Sequence, residues 1–210
     1  MRTTKSDVMN VLAGNASEQT RRDVIADIAE DVIHQVLIGE MQGIHGRYFQ
    51  SNEEDGGCKV CAIGAAIVRE TEAFNLERRA IGDGEYRNYR EANRRRDYDL
   101  NSTLKPEELT ELEQLFEKVI YGRHKSNEPY GEKVQKYATE NLLTIYALVL
   151  SEKGDVDAVS KKIRAGRYTS DEVMRAVKSV ADAHGLGIKD GTKMCEVLSN
   201  LRFLVERTVS

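Results

Sequence analysis

Apolar residues recur at helical spacing along most of this chain, and only two prolines stand in its 210 residues. Proline removes a backbone donor and clashes inside a helix, so a chain this poor in it can run long helices. The pattern predicts a mainly α (α+β) protein, a multi-helix globular domain with one small β-hairpin near residues 46–61. Ser17 or Thr20 can cap a long helix whose Val24, Ile25, Ile28, Val32, Val36 and Leu37 share a face, with Gly39 and Gly43 ending it. A shorter helix precedes it over about residues 6–13. Pro106, followed by Glu107 and Glu108, suits a helix N-terminus, with Leu109, Leu112, Leu115, Phe116, Val119 and Ile120 as its stripe and Gly122 as its stop. Residues 132–153 carry Val134, Tyr137, Ala138, Leu142, Ile145, Tyr146 and Val149 inward, and Gly154 follows as the C-terminal cap. Three shorter helices complete the expectation: 156–165 capped by Asp155, 171–184 capped by Ser170, and 192–207 with Met194, Val197, Leu198, Leu201 and Leu204 on one face.

A chain of this length can bury one good core, and 40% hydrophobic with 31% charged residues is ordinary for a globular protein. Residues 1–210 therefore read as a single compact domain, within which 155–210 could form a helical C-terminal subdomain.

The one strand-like region is chemically dense. Residues 47–50 can pair with 59–61 across a polar, glycine-containing loop at 51–57, and a helix buried on most sides should follow from 62 to about 72. Cys58 and Cys61 have the two-residue gap of a metal knuckle, and His45 lies upstream. A structural zinc needs four ligands. The fourth would come from His34, His124, His184 or Cys195, none at a diagnostic spacing, so the plainer reading is two small residues where strand meets helix. No metal or other cofactor is expected.

The run Cys61-Ala62-Ile63-Gly64 resembles a signature of small phage-encoded proteins of uncharacterised role, in which a strand ends in Cys, a small or apolar residue, Leu or Ile, and Gly. The similarity covers roughly residues 36–68 and continues more weakly over 148–154. In that signature a second cysteine often follows the first, and here Ala62 stands in its place. The resemblance implies a packing role for the small residue and glycine, and a site of action in the cytoplasm of an infected bacterium. It implies no activity.

An enzyme reading starts from Cys61, because a cysteine at a helix N-terminus has its thiolate favoured by free N–H groups and the helix dipole. The segment loosely resembles the nucleophile segment of papain-like cysteine proteases, with His184 and Asn200 downstream at about that family's spacing. It departs from that family in lacking an aromatic residue after Cys61, and Asp55 occupies the usual glutamine position. His184 and Asn200 also fall in helical patterns, and a histidine before a helix-ending glycine has a simple electrostatic explanation.

Between residues 75 and 101 periodicity fades and arginines crowd in: Arg78, Arg79, Arg87, Arg90, Arg94, Arg95 and Arg96, with Tyr86, Tyr89 and Tyr98 among them and no lysine. Guanidinium binds phosphate through parallel hydrogen bonds and stacks on rings, and tyrosine can stack a base. This segment is the best candidate contact for a phosphorylated small molecule, a nucleotide or a nucleic acid. The competing reading is a charge-laced surface, since Glu77, Asp83, Glu85, Glu91 and Asp97 nearly balance the arginines and Arg87–Glu91–Arg95 would pair at helical spacing. Lys161, Lys162, Arg164, Arg167, Arg175 and Lys178 give the late helix pair a basic tilt that a helix-turn-helix would use. Asp171 and Glu172, in the first turn of its second helix, would repel DNA phosphates, which favours an ordinary α-hairpin.

A formal charge of −4 argues against a general nucleic-acid coat protein, though not against a local basic patch. No apolar segment is long enough to span a bilayer, no signal peptide is evident behind Met1 and Arg2, and three cysteines make no disulfide framework. A cytoplasmic location follows as the expectation. The leading function is a non-catalytic accessory protein that binds, and so inhibits or sequesters, a host component. One alternative is inhibition of a host protein by direct contact; the other is a cysteine-dependent hydrolase. The long first helix could also offer a symmetric face for a homodimer.

Overall fold

The computed structural model describes residues 3–44, 49–51, 58–73, 102–123, 132–188 and 205–207. Within them the protein is mostly helical, as the periodicity predicts, with two small sheets. Helix α1 (Lys5–Leu12) begins in a capping box, with Thr4 Oγ1 accepting from the Asp7 N–H and Asp7 accepting from the Thr4 N–H. Helix α2 (Glu18–Leu37) is capped by Ser17, and Gly39, at φ 83°, ends it. Its stripe of Val24, Ile25, Ile28, Val32, Val36 and Leu37 is buried as expected.

The chain then forms a strand that the sequence did not announce. Strand β1 (Met41–Gly43) runs parallel to β3 (Cys58–Val60), and β2 (Phe49–Ser51) pairs with β3 antiparallel, giving the order β1-β3-β2. The hairpin is the predicted one, with Phe49 opposite Val60 and Ser51 opposite Cys58. Gly43 was expected to stop a helix; its role is different. A Cβ there would lie 2.3 Å from the Ala138 carbonyl, so glycine lets β1 lie against the backbone of the helix that carries Ala138. The Gly43 N–H donates to Thr139 Oγ1 at 2.9 Å across the same contact.

Helix α3 (Ala62–Ala73) follows the hairpin directly, α4 (Pro106–Arg123) starts with proline in its first turn, and α5 (Glu132–Ser151) is the central element. Every residue of α5 from 140 to 149 is buried, because α5 packs against α2, α4, α7 (Ser170–Ala183) and β1 at once. Helix α6 (Val156–Arg164), capped by Asp155, packs on α4 and α5, so both late helices join the same core. The cap of α7 is Thr169, whose hydroxyl accepts from the Glu172 N–H; Ser170, the predicted cap, is the first helical residue.

The last prediction needs a larger correction. A helix over 192–207 was expected, but Val205–Arg207 is a strand, β5, paired antiparallel with β4 (Leu186–Ile188). The apolar spacing that suggested a helix lies in residues outside the described set, and Val205, a β-branched residue beside Leu204, suits a strand end equally well. Among the described residues no helix is long and apolar enough to cross a membrane.

Candidate functional site

The predicted sites divide sharply. Arg78, Arg79, Tyr86, Arg87, Tyr89, Arg90, Arg94, Arg95 and Arg96 lie outside the described residues, as do His45, Asn200, His124 and Cys195. Cys58, Cys61, His34 and His184 are described, and each has a defined environment.

Cys61 sits between β3 and α3, at the helix start that the sequence suggested. It is 1% exposed, however, and its Sγ accepts from the Gly64 N–H at 3.4 Å. Burial pushes the thiol well above its usual range, and the nearby Glu113 carboxylate of α4 pushes it the same way. The helix N–H groups pull downward, and they lose. A thiol held protonated and closed off from solvent is not poised as a nucleophile, so the cysteine-hydrolase reading finds no support at Cys61. His184 does not complete it either. That residue caps the far end of α7, where its ring stacks on His34 of α2 with centroids 3.9 Å apart and its Nε2 lies 3.5 Å from Glu30 Oε1.

The metal reading includes His45, which lies outside the described residues; of its other members Cys58 is half-buried and Cys61 buried, and among the described residues no three His, Cys, Asp or Glu side chains converge as a metal site. What Cys61 does have is a packed polar neighbourhood. Tyr146 of α5, itself buried, donates to the Ala62 carbonyl at 2.5 Å, tying α5 to the first residue of α3. Burial raises the Tyr146 phenol well above its usual range, and the neighbouring Cys61 and Glu113 push it the same way. Sequence periodicity read Tyr146 only as an apolar stripe member. It could not register Glu113, an acid outside the apolar stripe that is only 7% exposed. Asn141 was missed in the same way: it is fully buried, and among the described residues neither its amide oxygen nor its nitrogen has a hydrogen-bond partner.

Two basic side chains of the late helix pair are engaged by acids of the protein itself. Lys162 pairs with both Glu152 and Glu172, and Arg164 pairs with Glu111 at 2.6 Å. Glu172, an argument against DNA contact in the sequence, is thus an internal partner. These pairs fit the α-hairpin reading.

A groove with a volume of about 700 Å³ opens between α1, α2 and the end of α5. Asp7, Asp23, Asp27 and Glu30 line it, with Lys153 at its rim. Each acid already has a partner: Thr4 for Asp7, Gln19 for Asp23, Thr3 for Asp27 and His184 for Glu30. Asp27 holds the N-terminal segment in place, accepting from both the Thr3 N–H and its hydroxyl at 2.6 Å. Comparison with protein-family models, with curated proteins and with solved structures found no match to this chain.

Proposed function

We propose that this protein is a non-catalytic binding protein that captures or blocks a component of the cell in which it is made. The observation that carries the proposal is the burial of Cys61: the side chain best suited by sequence to covalent chemistry is enclosed in the core, where burial pushes its thiol pKa up. Contact chemistry is then the main resource of the chain. The arginines and tyrosines between Arg78 and Tyr98 supply it, and their composition supports a phosphorylated small molecule, nucleotide or nucleic acid as ligand. Similarity of Cys61-Ala62-Ile63-Gly64 to the phage signature supports a host bacterial component as the target, met in the cytoplasm.

The test is native mass spectrometry of the purified chain, followed by calorimetric titration with a panel of nucleotides and short oligonucleotides. The expected result is binding that the combined change Arg87→Ala, Arg90→Ala, Arg94→Ala and Arg95→Ala abolishes with the fold intact. Binding untouched by those four changes would overturn the arginine reading. A second reading, direct contact with a host protein, is favoured by the acid-lined groove, whose charge suits a basic segment. Charge reversal at exposed Asp23 should then weaken capture, and the arginine changes should leave it alone.

A further inference from the structure

The seam between α2 and α7 holds two histidines in an arrangement that the proposed binding function does not use. His34 lies in the last turn of α2 and His184 caps the C-terminus of α7, and their rings lie nearly parallel, 15° apart, with centroids separated by 3.9 Å. Both are placed by backbone that is otherwise satisfied. The His184 N–H donates to the carbonyls of Val180 and Ala181, and Gly185, at φ 66°, turns the chain into β4 immediately afterwards. The ring stack is therefore the last side-chain tie before the β4–β5 ribbon.

We propose that His34 and His184 form a pH-sensitive latch, which holds the end of α7 on α2 while at least one ring is neutral and loosens it when both rings carry a proton. Neutral imidazoles, or one neutral and one cationic, stack favourably. Two cations at this separation repel. The charged groups around the pair come from three elements: Glu30 and Asp31 on α2, Arg69 on α3, and the partner ring from α7. Glu30 faces His184, and Asp31 is held in an ion pair with Arg69 at 2.5 Å. The carboxylates favour a proton on His34, whereas burial, His184 and Arg69 disfavour it; burial is the largest influence, and the net effect lowers His34 below the usual histidine value of 6.5.

The direction of the pH effect follows. A histidine lowered by folding binds fewer protons in the native state than in the unfolded chain, so its contribution to stability is complete above about pH 6.5 and is lost as pH falls below that value. The loosening is local because α7 remains packed on α5.

The experiment is amide hydrogen exchange on the full chain at about pH 7.5 and about pH 5, corrected for intrinsic rates, with the two imidazole signals followed by NMR. Exchange over residues 184–188 should rise by about tenfold or more at the lower pH, in step with protonation of His34. His34→Phe keeps an aromatic ring in the stack without a second charge, and should hold the protection equal at both pH values. Equal protection in the wild type at both pH values, or the same loosening in His34→Phe, would overturn the latch. Should His34→Phe fail to fold, the wild type decides: loosening that follows protonation of His34 sustains the proposal, and protonation of His34 with no change in exchange overturns it.

Discussion

The surroundings of Cys61 and the α2–α7 seam both place titratable side chains at helix ends, yet they differ in everything that governs reactivity. Cys61 is enclosed by Glu113, Tyr146 and the first turn of α3 and is 1% exposed. The His184 side chain is 32% exposed and meets one ring and one carboxylate. A helix terminus favours a particular charge at either place. In the first it is overruled by desolvation, because an ion without water costs more than free N–H groups return. In the second, the His184 ring keeps part of its surface in water. Burial, more than position on a helix, separates a packing group from one that can respond to the medium.

The largest effect that could break this contrast is chemical. A soluble alkylating reagent should modify half-buried Cys58 at least about a hundredfold faster than Cys61 in the native protein, because Cys61 reacts only after the fold opens. Mass spectrometry of partially labelled protein gives the ratio, and comparable rates would show that the Cys61 region opens easily.

Next in size is Tyr146. Tyr146→Ala should destabilise the protein by about 3–5 kcal/mol, as the loss of a fully buried aromatic does, and Tyr146→Phe by about 1 kcal/mol through the bond to Ala62. Denaturant unfolding of the pair measures both. Should the two variants cost the same, the hydroxyl would be the main tie between α5 and α3, and the interior would owe more to that one bond than to packing.

The smallest effect belongs to the surface at the other end of α2. Arg21 grips Glu108 through two hydrogen bonds, at 2.6 and 2.9 Å, and also pairs with Glu18. The Arg21 hydrogen bond holds the Glu18 carboxyl down to about 2, from an ordinary 4.5, although Glu18 is 51% exposed. A carboxyl lowered by folding contributes stability in full above its ordinary value and loses it as pH falls toward about 2. Solvent screening keeps that contribution to a few tenths of a kcal/mol, so Glu18→Gln should cost about that much at neutral pH. The cost should vanish near pH 2, where thermal melts of both proteins should coincide.

Much of the architecture was legible because helices advertise themselves locally. The stripe from Val24 to Leu37, Ser17 ahead of it and Gly39 behind it lie within one stretch of chain, and so do Asp155 and Gly166 around α6. The hairpin was legible for the same reason, since its two strands and polar loop are contiguous. Strand β1 was not, because Met41-Gln42-Gly43 has no alternation of its own and gains its identity by pairing with Cys58–Val60 and resting on Ala138. The strand at Val205–Arg207 depends likewise on β4.

The sequence by itself determined where the described helices lie, the caps of α2 and α6 and the faces they bury, since these follow from the spacing of apolar residues and the chemistry of the residues just outside each end. It also determined which side chains could carry chemistry. The surroundings of those within the described residues were set by tertiary structure alone. The desolvation of Cys61, the pairing of Lys162 with acids from two other segments and the stacking of His34 on His184 all join residues far apart in the chain. Hydration and Coulomb energies depend on distance in space, and no local pattern of residues contains that distance.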